Sequence, residues 1–392
     1  MGPHAGGGGT MTRVALIADL AEENWPSMDL VADMTLASLR EEAIDVCLVR
    51  PPMVRRFSGQ GDSRSMRYTA DRFVNRLRDY PRALADQGSA FDVFHIVDHS
   101  YSQLVHVLPP ERTVVTCHDL DTFRSVLEPK SEPRSWPFRM MTRRILRGLQ
   151  QAARVACDSE ATRAQIVRYG LIPPERLVVA PLGVHPVFLR EPELESQREI
   201  ERLLGAKHAG AVEILHVGST IARKRVDVLL ETFERVRRAL PRARLLRVGG
   251  NFTPAQHELV HRLGLHGGVT VLPQLSRDQV AAVYRRADVV LLTSEREGFG
   301  LPVLEALACG TPVIASDIPA LRETGGSVAT YCPVGGVQAW VAAVLAQLRE
   351  HRDPALPIER QERIAHARKF GWPDYAHRMV DIYREVLAES GG

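Results

Sequence analysis

The chain is poor in the features that mark several function classes. It has five cysteines, Cys47, Cys117, Cys157, Cys309 and Cys332, and no two form a C-x-x-C pair. An odd, scattered set argues against a disulfide framework and reads as small core residues in a reducing compartment. Charge of one sign is also lacking: 50 Lys and Arg stand against 47 Asp and Glu, a balance of +3. So small an excess argues against a broad basic face for nucleic acid. No apolar run approaches the roughly 18–20 residues that cross a bilayer. The turn G-x-G-x-x-G that a nicotinamide oxidoreductase needs is missing after the first strand and incomplete elsewhere.

What is present is the composition of a folded protein, 45% hydrophobic and 25% charged over 392 residues, which excludes a mostly disordered chain. One core stops growing at roughly 250–300 residues, so two domains are expected. The opening MGPHAGGGGT is of low complexity and has no apolar signal core. A flexible tail over 1–12 is expected, with Met11 as the original start, in a cytoplasmic protein.

From Arg13 short apolar runs alternate with amphipathic stretches. Val14–Ala18, Val46–Val49, Val93–Val97, Thr113–Cys117, Val155–Cys157 and Leu177–Ala180 form one series. Ile214–Val217, Arg244–Val248, Val269–Leu272, Val289–Leu292, Val313–Ala315 and Val328–Tyr331 form a second. Most are apolar on consecutive residues, the mark of strands covered on both faces in a parallel sheet. Helix signals separate them. Thr253 and Ser276 begin capping boxes with Gln256 and Gln279, and Gly310 stops a helix. The rhythm predicts α/β architecture with two doubly wound sheets. The charged stretch Arg190–Glu199 carries no strand signal and suggests the boundary. The expected division is 13–190, a linker over 191–211, 212–370, and a terminal helix over 371–392. Ligands of doubly wound sheets sit at the carboxyl ends of strands, so strand-to-helix loops should carry the chemistry.

Three such loops stand out. Thr293–Ala306 follows a strand and opens a helix. Gly298 and Gly300 let backbone approach a ligand closely, and the helix start near Leu301 favours an anion. Glu297 and Glu305 flank the turn; carboxylates repel phosphate, so they suit hydroxyl donors. A phosphate plus hydroxyls describes a nucleotide sugar. His216–Arg225 runs from strand through Gly218 and Ser219 to Arg223 and Lys224, two cations placed for an anion. Val114–Leu120 ends a strand with His118 and Asp119.

Together these segments resemble the family 4 retaining glycosyltransferases, known as glycosyl transferases group 1, of the GT-B fold. Glu297 and Glu305 with Gly298, Phe299, Gly300 and Leu301 between them are similar to the family's E-x7-E segment. The resemblance implies two Rossmann-like domains facing across a cleft, the first on the acceptor side and the second holding the donor. A C-terminal helix crosses back to the first domain. It implies that Glu297 lies against the donor sugar, Glu305 binds the ribose, and the backbone of 298–301 lies near sugar and phosphates. Arg223 and Lys224 would hold the donor diphosphate beside Gly218 and Ser219, and His118 would lie near the reacting sugar. Many relatives have Arg where this chain has Ser219, which shifts weight onto Arg223 and Lys224. Gly249, Gly250, Pro273 and Leu275 would border the base. Asp158–Arg163, Val178–Val184 and Phe370–Tyr375 extend the match to about residues 13–390. The first strand departs from the family: its following turn lacks the Gly-rich pattern.

The reading is a hexose transfer from a UDP-, GDP-, ADP- or TDP-sugar to an acceptor hydroxyl, with retention, no metal and no further cofactor. His118, Glu297, Arg223 and Lys224 are the candidate catalytic residues. Base, sugar, acceptor and oligomeric state stay open. Asp119 and Asp121 also fit a D-x-D metal motif, but such a pair arises by chance in a chain of this composition. The basic stretch Arg134–Arg147 reads as a helix on the first sheet in preference to a membrane contact. The alternatives are a nucleotide-sugar epimerase, a glycosyl phosphorylase, a nicotinamide enzyme and a binding module without catalysis.

Overall fold

A computed structural model describes residues 11–62, 65–85, 89–208, 210–350 and 357–391. The tail expected at 1–12 falls mostly outside them. The chain divides into two compact units, one formed by Met1–Gly183 with Trp372–Gly392 and the other by Val184–Gly371.

In the first unit, β1 (Arg13–Ile17), β2 (Asp45–Val49), β3 (Val93–Ile96), β4 (Thr113–Cys117), β5 (Arg154–Cys157) and β6 (Leu177–Val179) form one sheet in the order β2-β1-β3-β4-β5-β6. All pairs are parallel. The consecutive apolar runs are explained by burial: Val14, Ala15, Leu16 and Ile17 are all sealed from solvent, because helices cover both faces of the sheet. The terminal helix Trp372–Ser390 belongs to this unit, and Tyr375, Met379, Ile382 and Val386 form its buried side. Tyr383 on that helix meets the Nδ1 of His95 from β3 at 2.7 Å through its hydroxyl. The basic stretch becomes the helix Trp136–Gln151, whose Ile145, Leu146 and Leu149 are buried, while Trp136, Phe138 and Met140 stay exposed. No helix among the described residues is long and apolar enough to cross a membrane.

In the second unit, β7 (Val212–Val217), β8 (Ala243–Val248), β9 (Val269–Val271), β10 (Val289–Leu292), β11 (Val313–Ser316) and β12 (Thr330–Cys332) are again all parallel, in the order β12-β11-β10-β7-β8-β9. Both capping boxes are formed: Thr253 with Gln256, and Ser276 with Gln279.

The division between units falls at Gly183–Val184 rather than near 190. The segment expected as a linker instead carries the helix Leu194–Leu204, part of the second unit. Its charges hid a buried stripe: Ser196, Ile200 and Leu204 recur every four residues and are buried. Gln279 ties the helix down by donating to Glu199 at 2.6 Å.

The strand orders locate the switch points, where the chain reverses its direction of growth and opens a crevice. In the second sheet this lies between β7 and β10, which pair through Val289 with Ile214 and Val290 with Leu215. In the first it lies between β1 and β3.

Candidate functional site

The two loops leaving β7 and β10 are the ones singled out from their residues, and the switch point makes them neighbours. They are zipped together by hydrogen bonds onto the backbone of residues 223–225. Glu295 N–H donates to the Arg223 carbonyl at 2.8 Å, and Thr293 Oγ1 donates to the carbonyls of Lys224 and Arg225 at 3.0 and 3.1 Å. This zipper brings Glu297 against both candidate cations. Its carboxylate takes Lys224 Nζ at 2.5 Å and Arg223 Nη1 at 3.2 Å, and Ser294 Oγ donates to it at 2.6 Å. Arg223 also donates to the Arg296 carbonyl at 3.1 Å. Burial pushes the Glu297 carboxyl up, but Lys224 and Arg223 with the hydrogen bonds outweigh it and hold it below the ordinary range. Glu297 is therefore a fixed anion bridging two cations.

Arg225 does not join Arg223 and Lys224 on Glu297. It sits in a left-handed conformation, φ +47°, and its guanidinium grips Asp227 at 2.8 Å. The turn that ends the β10 loop depends on Gly300, with φ +105°. A Cβ there would lie 2.5 Å from Leu321 Cδ2. Gly300 opens the helix Leu301–Ala308, with Pro302 in its first turn. Phe299 is buried, its ring 5.8 Å from that of Phe370 and its carbonyl accepting from Thr324 at 2.5 Å. Its ring and its carbonyl are thus both engaged within the unit. Gly298 and Gly300 are buried as well, while Leu301 is half-buried.

Glu305, one turn into that helix, is separate from the cation pair. Its Oε2 accepts from Tyr284 Oη at 2.8 Å. Burial pushes its carboxyl up to about 7; the Tyr284 hydrogen bond and the Arg277 charge only partly oppose this. Tyr284 was not found by sequence reasoning, since it falls in the apolar stripe of the helix Arg277–Arg286 and looks like core. Gly249, Gly250 and Pro273 are exposed at the ends of β8 and β9, with Leu275 half-buried beside them. Gly218 and Ser219 are half-buried at the end of β7.

His118 lies in the first unit, in a buried network of its own. Its Nδ1 meets Asp158 Oδ2 at 2.7 Å and its Nε2 meets the Val97 carbonyl at 2.7 Å. Burial disfavours its charge, but Asp158 more than repays this and the imidazole is pushed up to about 10. Both ring nitrogens thus act as donors inside this unit. Asp98, next to it at the switch point of the first sheet, is pushed up by burial yet held down to about 2 by His99, His118 and hydrogen bonds from Ser100. Asp119 accepts from the Asp121 N–H at 2.9 Å in a local turn. No cluster suited to a metal ion occurs among the described residues.

The family described as Glycosyltransferase Family 4 matches residues 7–188, and the one described as Glycosyl transferases group 1 matches 198–367. The chain is 30% identical over 248 residues to a D-inositol 3-phosphate glycosyltransferase of Segniliparus rotundus, covering 60% of this chain and 53% of that protein. It is 26% identical to O-antigen chain mannosyltransferase B of Escherichia coli, over 70% of each chain. The chain spans about half the length of the inositol phosphate relatives it matches. Among solved structures, sucrose-phosphate synthase of Thermosynechococcus elongatus aligns with a TM-score of 0.73 at 21% identity, over 96% of this chain and all of that one. Anabaena HepE in complex with UDP and glucose aligns with a TM-score of 0.70 at 16% identity, over 95% and 99%.

Proposed function

The chain belongs to the family 4 glycosyltransferases of the GT-B fold, and from that premise we propose that it transfers a hexose-type sugar, with retention, from a nucleotide diphosphate sugar to an acceptor hydroxyl. The observation that carries this reading is the Arg223–Glu297–Lys224 bridge at the switch point of the second sheet. Two cations held half-buried by one carboxylate form a preorganised site for a diphosphate. A similar structure, Anabaena HepE, is described with UDP and glucose, which supports a nucleotide sugar as the ligand of this fold.

In the proposed reaction, Arg223 and Lys224 stabilise the charge that grows on the leaving diphosphate. Electrostatic stabilisation of this kind is usually the largest single contribution to catalysis. Glu305 accepts hydrogen bonds from the ribose hydroxyls. Glu297 orients sugar hydroxyls and offsets positive charge at the anomeric carbon. The bond from the anomeric carbon to the phosphate oxygen breaks while the acceptor oxygen bonds to the same face of that carbon. The acceptor proton passes to the departing phosphate oxygen, so no enzyme nucleophile and no metal is required. His118, a buried cation, acts by holding the ends of β3, β4 and β5 in place and by its charge.

Thermal shift against UDP-, GDP-, ADP- and TDP-sugars, with and without a chelator, tests the reading, since a ligand that binds only the folded state raises its melting temperature. One donor should give a shift that survives chelation, and its transfer product should keep the anomeric configuration by NMR. No shift with any donor, or an inverted product, would overturn it.

A further inference from the structure

Arg247 is a charged residue inside the core of the second unit. It lies on β8 opposite His216 of β7 and is completely buried. Its Nη1 donates to the Gly218 carbonyl at 3.0 Å, and its guanidinium lies 5.2 Å from the centre of the Phe252 ring. Its Nε and Nη2 are buried with no hydrogen-bond partner, and no carboxylate pairs with it among the described residues. Burial alone lowers its pKa, to about 10, so it remains a cation at neutral pH. His216 cannot neutralise it. Burial, then Arg247 and Lys224, push that imidazole down to about 3, and its Nδ1 is also without a partner. A buried guanidinium without a counter-ion weakens the fold, so its position calls for an anion that arrives from outside.

The backbone above it indicates where. Gly218 N–H donates to the Val248 carbonyl at 2.9 Å, which locks the end of β7 to the end of β8. Gly249, with φ +116°, lets the two turns touch; a Cβ there would lie 2.2 Å from the Gly218 oxygen. The Gly218 carbonyl is thereby turned inward onto Arg247. No cis peptide bond occurs among the described residues, and in a planar trans peptide the N–H opposes the C=O. The Ser219 N–H is therefore turned away from Arg247 and the core, and it makes no hydrogen bond among the described residues. Lys224 follows Gly218 by six positions along the same loop, so one loop carries an outward peptide N–H and two half-buried cations, with the buried cation of β8 beneath it.

We infer that Arg247 is a positioning residue for the diphosphate of the donor: it fixes the Gly218–Ser219 peptide so that the Ser219 N–H meets a phosphate oxygen, and it supplies standing positive charge below that phosphate. This rests on the proposed donor site and adds a residue to it. It also supplies a cation beneath Ser219, a neutral residue.

The test compares Arg247→Met and Arg247→Lys with the unchanged chain by calorimetry. The probes are inorganic pyrophosphate and, for each of uracil, guanine, adenine and thymine, the nucleoside and its diphosphate. Arg247→Met should weaken the diphosphate and pyrophosphate at least tenfold and leave the nucleoside within about twofold. Arg247→Lys keeps the charge but loses the planar fork, and should weaken the same ligands at least threefold. Melting curves establish that each variant is folded; if the Met variant is not, the Lys variant decides. Equal binding of the diphosphate by the folded variants, or equal losses for nucleoside and diphosphate, would refute the inference while leaving the donor site standing. If the unchanged chain binds no nucleoside diphosphate at all, the proposed function falls and this inference with it.

Discussion

Donor affinity should depend on pH through Glu305. Its carboxyl is pushed up to about 7 in the free protein. A ribose hydroxyl that donates to it favours the ionised form, so donor binding should expel the proton. With a free value of about 7 and the bound value well below it, the affinity should rise up to about tenfold between pH 6 and 8, or about 1.4 kcal/mol. His216, pushed down to about 3, and Glu297, held below its ordinary value, do not titrate in this window. The phosphates of a nucleotide sugar are diesters and do not titrate there either, which makes the intact donor the right ligand. Calorimetry at pH 7 in buffers of different ionisation enthalpy should report release of about half a proton. Glu305→Gln should bind the donor more weakly, with no pH slope and no proton release. The free protein should show the opposite dependence. An acid whose folded value is raised stabilises the fold below its unfolded value and loses that contribution as pH rises. Stability should fall by roughly 3 kcal/mol from 4.5 to above 7, less any screening, and Glu305→Gln should melt higher than the parent at pH 8. Affinity that is flat from pH 6 to 8, or a slope that persists in Glu305→Gln, would refute the assignment of Glu305 to the ribose.

Lys224→Ala removes one of the two cations and leaves Arg223 and the Ser294 hydroxyl on Glu297; donor affinity by calorimetry should fall by about 2–3 kcal/mol. Gly300→Ala puts a Cβ 2.5 Å from Leu321 at φ +105°; chemical denaturation should show a loss of about 1–3 kcal/mol together with loss of donor binding. Asp158→Asn leaves the His118 imidazole buried without its counter-ion; stability at pH 7 should fall by about 3 kcal/mol. His118 is raised to about 10 from 6.5, so the parent holds this contribution fully below 6.5 and loses it towards 10. The difference in melting temperature between parent and variant should shrink over that range, and a constant difference would sink the pairing as its cause.

Much of this was legible before any coordinates. The apolar runs on consecutive residues marked parallel strands because a strand covered on both faces has no polar side to alternate with. The capping boxes at Thr253 and Ser276 were readable because their partners lie three residues away along the chain. The helix Leu194–Leu204 was misread as linker because its buried stripe is narrow and its outer side densely charged. Tyr284 and Arg247 were invisible for a different reason. One sits in a helical apolar stripe and the other in a strand, and neither position marks a ligand site until the partner, Glu305 or Gly218, arrives from a distant segment.

Local order in this protein follows from neighbours in the chain: strand burial, helix starts, and the loops with Arg223, Lys224, Glu297 and Glu305. The ionisation of those residues does not. Glu297 and Glu305 are the same side chain eight residues apart, yet one is held ionised and the other is raised to about 7. The difference comes from the switch point, where β7 and β10 pair and carry two cations to Glu297 while Glu305 is buried against a phenol. Charge interactions act through space over a few ångströms, and only the folded sheet sets those distances.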